Sequence, residues 1–547
     1  MEPIITTFRT FKKNNVMRKI VKSTLLFLLV AAVGSSCKKF GDTNIDPSRS
    51  SNLDPSVQLT LVQLRFSGDL NVNERTSFMM TMPLVQHIGG SYSNRWGGIY
   101  FNNPNVMGVL WEDSYANDLV NIIDAVKRTT DVPEKANINA VCRIMKVYTF
   151  ARMTDLYGDI PYSQAGMGVK PAFDTQEAIY NSFFTELSAA RAQLDAAKDA
   201  VNGDVFYNGV IDDWKRFASS LHLRLAMRLV KRDPAKAQAE AQIAYNEGVF
   251  TANNQLCKLE HEDIQNPYDD GKGNIRGNAV SASFFNGGAV PGRFTTPFLN
   301  QLRTTNDPRL QYMVKYYADG TGAGNPQNRL DLTVPLVAMQ GYTGLNVGSY
   351  IWDEWSNPVD LTLPSGATYT TTSNDLKAQP ANFLLRFNAP FLHLTYSEVE
   401  LLLAEATVRF GATFGGTAAS HYEKGVTAAL QQLSLFPGGP TVPLSEINTF
   451  IAGNGLLPGR ELEVINKQLW ITLFLNGPEA YANWRRSGWP ALLPAVGFSE
   501  TGESLTIPRR FEYPFTEEEQ NKVNFDKVLP ALGGVDSWNK RVWWDKE

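Results

Sequence analysis

Asp42, Asn44 and Asp46 open with the alternate-oxygen spacing of a calcium-binding loop. Pro47 stands where the sharp-turn glycine belongs and Leu53 where a bidentate glutamate would close the shell, so the stretch reads as a polar turn. The 5 histidines, His87, His222, His261, His393 and His421, are scattered, and only Cys257 and His261 share a helical i, i+4 spacing. Two ligands do not make a zinc site. Nucleophilic catalysis lacks its G-x-S-x-G elbow, and neither Cys142 nor Cys257 sits in a reactive-cysteine context. Glu398, Glu400 and Glu405 decorate one helical stretch, where they are expected to solvate its face or bind its neighbours. No catalytic residue, cofactor or metal is expected. Paired carboxylates of a glycosidase are defined by distance in space, which spacing along the chain does not give.

Rings in glycine-rich loops offer a different chemistry. "HIGGSYSNRWGGIYFNNPN" sets Tyr92, Trp96, Tyr100 and Phe101 among Asn94, Arg95, Asn102 and Asn103, with glycines on both sides of the tryptophan. Such loops can turn a flat ring outward to stack on a sugar or a peptide bond, while amides and a guanidinium meet hydroxyls or carbonyls. "YIWDEWSNP" adds Trp352 and Trp355, and "NPYDDGKGN" adds Tyr268. The opposing reading is that each ring anchors its loop to the frame, since tryptophan is usually mostly buried.

A third cluster lies near the start. Arg18, Lys19 and Lys22 precede the apolar run Leu25 to Val33, and Gly34, Ser35 and Ser36 lead into Cys37. The run is far short of the roughly 20 residues of a transmembrane helix. The order of charge, apolar run and small residues is that of an export signal, most compact when counted from Met17. A cysteine directly behind it resembles a bacterial lipobox, in which the thiol is acylated and anchors the chain to a membrane surface. The alternative is an ordinary signal with an incidental cysteine.

These residues need a frame. About 510 residues follow Cys37, enough for a large core. With two further cysteines, packing and not disulfides must hold it; Cys142 is expected in the core, and a bridge to Cys257 has nothing to support it. Lys+Arg 51 against Asp+Glu 55 leaves no basic surplus for a phosphate backbone, so nucleic acid is not an expected partner.

Periodicity is helical from Ser56 to Asp155, with stripes Leu110, Tyr115, Leu119, Ile122, Val126 and, after Pro133, Ile138, Val141, Met145, Tyr148, Arg152. Further helices are expected from Asp174, from Asp212 or Asp213 as N-cap, and from Pro234 to Gly248. Residues 251–390 are rich in Gly, Asn, Pro and Thr and read as a loop-rich insert with short strands. Helices resume with a stripe Leu392, Tyr396, Val399, Leu403, Ala406, then "AASHYEKGVTAALQQLS", then "ELEVINKQLWITLFLNGPEAYANWRRSG" broken at Gly477 and Pro478. The tail, ending "RVWWDKE", is expected to dock. The fold class is therefore mostly α, with tetratricopeptide-like helix pairs supporting a loop-rich region, although no clean repeat of about 34 residues is present.

"CKKFGDTNIDPS", "LWEDSYANDLVNI", "MTDLYGDIPYSQA", "FLHLTYSEVELLLAEA", "RRFEYPFTEEEQN" and "RVWWD" together resemble the SusD/RagB family of Bacteroidota outer-membrane lipoproteins, in order over the whole mature chain. The resemblance implies a signal peptide at 1–36, a lipid-anchored tether at 37–56 with Cys37 lipidated, and a SusD-like domain at 57–547. It implies a non-enzymatic protein facing the outside that captures oligosaccharide for a SusC-like TonB-dependent transporter. Trp96, with Tyr92, Asn94 and Arg95, is carried as the binding candidate, followed by Trp352, Trp355 and Tyr268. Lys38 and Lys39 depart from the usual acidic surface-export signal. Peptide capture, a surface glycan hydrolase and a pure scaffold are the competing functions.

Overall fold

The computed structural model describes residues 53–89, 95–264, 274–285, 292–318, 329–338, 360–363, 365–371, 377–411, 414–494 and 506–547. Pro55 to Glu547 form one unit. Its frame is helical: α1 (Pro55–Gly68), α2 (70–84), α3 (104–129), α4 (Ala136–Tyr157), α5 (Gln176–Gln193), α6 (Ile211–Arg228), α7 (Pro234–Glu247), α8 (Tyr396–Phe410), α9 (Ala418–Gln431), α10 (Glu461–Thr472) and α11 (Gly477–Ser487). Consecutive helices pack as pairs, α3 on α4, α6 on α7, α8 on α9 and α10 on α11, and α4–α5, α5–α6, α6–α8 and α8–α10 contacts join the pairs. This is the tetratricopeptide-like arrangement expected, since a two-helix unit buries its apolar faces only against neighbouring units.

Local chemistry sets the ends. Thr175 caps α5 by accepting from Ala178 N, whereas Asp174, the expected start, lies before the helix and binds the backbone of Tyr162 and Ser163 at 2.9 and 2.7 Å. Asp212 and Asp213 lie inside the first turn of α6, which starts at Ile211, two or three residues earlier than those caps would set. Asp233 caps α7, and Gly158 and Gly248 close α4 and α7 with φ of +88° and +96°, where a side chain would be strained.

α2 and α3 are not uniform. α3 widens to a π turn over Ser114–Asp118. The reason is in the stripe: Leu110 to Tyr115 is a step of five, one residue too long for an α-helix, and the wide turn absorbs it. The same turn brings Asp113 and Asp118 under one guanidinium, because residues five apart on an ideal α-helix point about 140° away from each other. Arg65 of α1 bonds Asp118 at 2.8 Å and also Asp113 and Asp69. Burial and the neighbouring Asp113 push the Asp118 carboxyl up to about 7 despite Arg65. A second π turn, Glu74–Thr81, lies within α2.

Among the described residues, strands pair only as two-stranded ladders. Phe391–Leu394 pairs antiparallel with Cys257–Leu259 and closes the base of the insert. Two expectations fall here. Leu392 is in a strand and not on the α8 stripe, since α8 starts at Tyr396 with Thr395 as its cap, and Cys257 is in a strand, so it has no helical relation to His261. The sequence reading also passed over a helix at Leu444–Gly453. Cys142 and Cys257 are both buried and both free, so there is no bridge between them.

The main core cluster spans the helices and the insert, with a small second cluster of Leu70, Ala279, Ala282 and Phe387, and the interior holds charges. Glu398, Glu400 and Glu405 are buried and not solvating: Glu398 accepts from Arg224 at 2.6 and 2.7 Å, Glu400 faces His421 at 2.6 Å, and Glu405 is held by Arg486 at 2.8 Å. Burial alone would raise the Glu405 carboxyl, but Arg486 and Arg409 hold it down to about 2. The histidines also serve the frame. Among the described residues no group of His, Cys, Asp and Glu is placed to hold a metal.

His87 gives a pH prediction. It is fully buried, donates from Nε2 to the Trp470 carbonyl at 2.8 Å, and burial lowers its pKa to about 3. Below pH 6.5 the unfolded chain takes a proton that the folded chain refuses, so stability falls as the pH drops from 6.5 towards 3. The loss between pH 7 and 5 should be about 2 kcal/mol from this residue. Urea unfolding at both pH values, compared with His87→Gln, measures it; equal slopes in the two proteins would exclude the effect.

Candidate functional site

The ring-bearing loop after α2 is rooted by packing. Residues Arg95–Gly98 form one helical turn against the Glu74–Thr81 π turn. A Cβ on Gly97 would lie 2.3 Å from the Met80 carbonyl oxygen, so only glycine lets this turn approach. Gly97→Ala is expected to cost about 1–3 kcal/mol, as overpacking does, and to displace the loop root. A melting temperature unchanged within 1 °C in that variant would show that the turn tolerates a side chain.

Trp96 is 9% exposed and belongs to the core cluster, as does Tyr100, which sits at φ +57°. Both rings anchor the loop in this conformation. Phe101, 40% exposed, is the ring of this loop that faces out among the described residues. Asn102 donates to Glu512 at 3.2 Å, and Asn103 caps α3 by accepting from Asn105 N at 3.1 Å. Glu512 also accepts from Trp538 N at 3.0 Å, and burial pushes its carboxyl up. Trp111 on α3 donates to Glu517 at 3.1 Å. The segment "RRFEYPFTEEEQ" therefore braces the ring loop from behind, a role the sequence reading did not assign; the alternation of charge and aromatic residues was its signal.

Of the expected contacts, Arg95 opens the helical turn, and Tyr92, Asn94, Tyr268, Trp352, Trp355 and Cys37 lie outside the described residues. The chain that leads into the ring loop is fixed to the insert. Ile88–Gly89, which leads into Tyr92, pairs with Arg293–Phe294 of the insert. Phe294 N then donates to Ala378 O at 3.1 Å, and Gln379–Pro380 pairs with Val314–Lys315. The ladder thus ties the loop root to the insert that carries Trp352 and Trp355. Thr295 locks the junction, with its amide on the His87 carbonyl and its hydroxyl on the Gln86 carbonyl.

Among the described residues of this loop, the exposed ring of Phe101 is the one placed to stack on a ligand. Comparison with known proteins identifies the family. A family model described as "Starch-binding associating with outer membrane", SusD-like, matches residues 47–514. The chain is similar to a solved chitin-binding protein, with 35% identity and a TM-score of 0.76 over 90% of this chain and 100% of that one. It is also similar to a Bacteroidetes SusD-like protein, AC2a, at 29% identity and TM-score 0.83 over 90% and 100% of the two chains. A SusD homologue from Flavobacterium johnsoniae shares the fold at 22% identity and TM-score 0.69, over 90% of this chain and 98% of that one. Among curated proteins no match was found. The chain belongs to the SusD-like family.

Proposed function

We propose that this protein is a surface lipoprotein that captures oligosaccharide and hands it to a SusC-like TonB-dependent transporter, without bond chemistry of its own. The observation that carries the reading is the family match over residues 47–514, reinforced by a relative at 35% identity that is named a chitin-binding protein. Chitin oligosaccharides are accordingly the first ligand class to try. In this reading residues 1–36 direct export, Cys37 carries the lipid, 37–56 is the tether and 57–547 is the binding domain. Tyr92, Asn94, Arg95, Tyr268, Trp352 and Trp355 supply ligand contacts, and Trp96, buried here, holds their loop in place.

Calorimetry of the chain from Lys38 onwards tests it, with chitin- and starch-derived oligosaccharides and a mixed peptide digest as ligands. Binding of an oligosaccharide is expected, weakened about tenfold or more by Trp352→Ala or Trp355→Ala, since each lost stacking face removes about 1.4 kcal/mol or more. Heat from peptides alone would transfer the reading to peptide capture. Release of reducing ends by the purified chain, abolished by one carboxylate substitution, would make it a hydrolase.

A further inference from the structure

Between the insert and the helix Leu444–Gly453 lies an open cleft of about 1210 Å³. That exceeds the roughly 300–1,000 Å³ of a pocket that encloses a small molecule, and it suits a ligand that lies along a groove. None of the ring-loop candidates lines it. Its walls carry side chains that hydrogen-bond without charge, Gln311, Thr333 and Asn306 on the insert side and Ser445, Thr449 and Asn454 on the helix side. Tyr316 and Phe450 lie beneath them, both buried.

The charges in the cleft are largely spoken for. Asp307 is clasped by Arg309 at 2.8 Å, and Glu446 accepts from Gln311 at 2.9 Å and from Tyr312 at 3.1 Å. The two walls are pinned together as well: Asn454 donates across to the Thr305 carbonyl at 3.0 Å, and Tyr422 donates to the Asn454 carbonyl at 2.7 Å. Lys315 is the cation of the lining. A preformed groove with amides and hydroxyls on both sides and satisfied carboxylates suits a ligand rich in hydroxyls, which those groups can hydrogen-bond.

We propose that this cleft is a second binding site for a neutral oligosaccharide, separate from the ring-bearing loops. The proposal rests on the oligosaccharide reading above and adds a second seat for the same class of ligand. Two seats on one rigid body would raise the hold on a long chain well above that of either alone.

The test is calorimetric titration of the full chain in detergent with chitohexaose and, separately, maltohexaose. Two equivalents are expected for one of these probes. Thr449→Trp and Ser445→Trp, which fill the cleft from exposed positions on the helix, should each weaken one equivalent at least tenfold and leave the other intact. The double substitution Trp352→Ala with Trp355→Ala should do the reverse and keep the Thr449-sensitive equivalent. A single equivalent, or two that ignore both cleft substitutions, overturns the second site and leaves the capture reading standing. Silence toward both saccharides overturns the capture reading and the second site together.

Discussion

Trp544→Ala should lower the unfolding free energy by about 3–5 kcal/mol, the usual range for emptying a large aromatic site. The residue is fully buried although only three residues follow it in the sequence. Its Nε1 donates to Asp155 on α4 at 2.9 Å, its backbone amide donates to Gln176 at the start of α5 at 3.3 Å, and the Arg485 guanidinium of α11 sits 4.8 Å from its ring centroid. The residue thus ties three helices together, two of them through its side chain. Asp155 keeps Tyr180 and Arg228 as partners when the indole goes, so most of the cost is cavity and not an orphaned charge. Trp544→Phe should accordingly recover more than half of the loss. Urea unfolding of the three proteins reads this directly, and an alanine variant within 1 kcal/mol of the parent would mean that the tail is not part of the frame.

Arg486→Met should cost a similar about 3–5 kcal/mol for a different reason: it takes the bidentate partner from a buried carboxylate and leaves it Arg409 and Asn466 alone. Arg486 is 1% exposed and Glu405 is inaccessible. The pair meets fork to fork at 2.8 Å on both arms, with Asn466 adding a bond to Glu405 at 3.1 Å and Asn483 one to Arg486 at 2.7 Å. Replacing both members, Glu405→Leu with Arg486→Met, should recover much of the loss, because the desolvation of two charges disappears with them. The pair also has a pH signature. With its folded pKa near 2 against an ordinary 4.5, Glu405 contributes stability that is complete above pH 4.5 and fades as the pH falls towards 2. The parent should lose stability between pH 5 and 3 faster than the double variant does. Parallel curves would show that Glu405 titrates normally.

The helical frame was legible because its signals are local. Asp233 before Pro234, Gly248 after α7, and the break at Gly477 and Pro478 each act within one turn. Thr395 and Glu398 also carry the spacing of a capping box, but the apolar run "FLHL" continued the α8 stripe backwards and hid the strand. Its partner, Cys257–Leu259, is more than a hundred residues away, and pairing at that distance leaves no local mark.

The buried glutamates show the same limit. Glu398 and Glu405 look like surface charges on any helical wheel, and only Arg224 and Arg486, distant in sequence, draw them inside. Trp96 was ambiguous for a related reason: glycines on both sides permit outward display and close packing alike, and Met80 on a neighbouring π turn decided for packing.

The ladder between Cys257–Leu259 and Phe391–Leu394 holds the two ends of a long excursion side by side. Once such ends are fixed, doubling the length of a flexible loop costs only about 0.6 kcal/mol. The sequence between those ends can therefore lengthen, shorten or change at little expense to the helices, so a lineage carrying this frame is expected to vary there first.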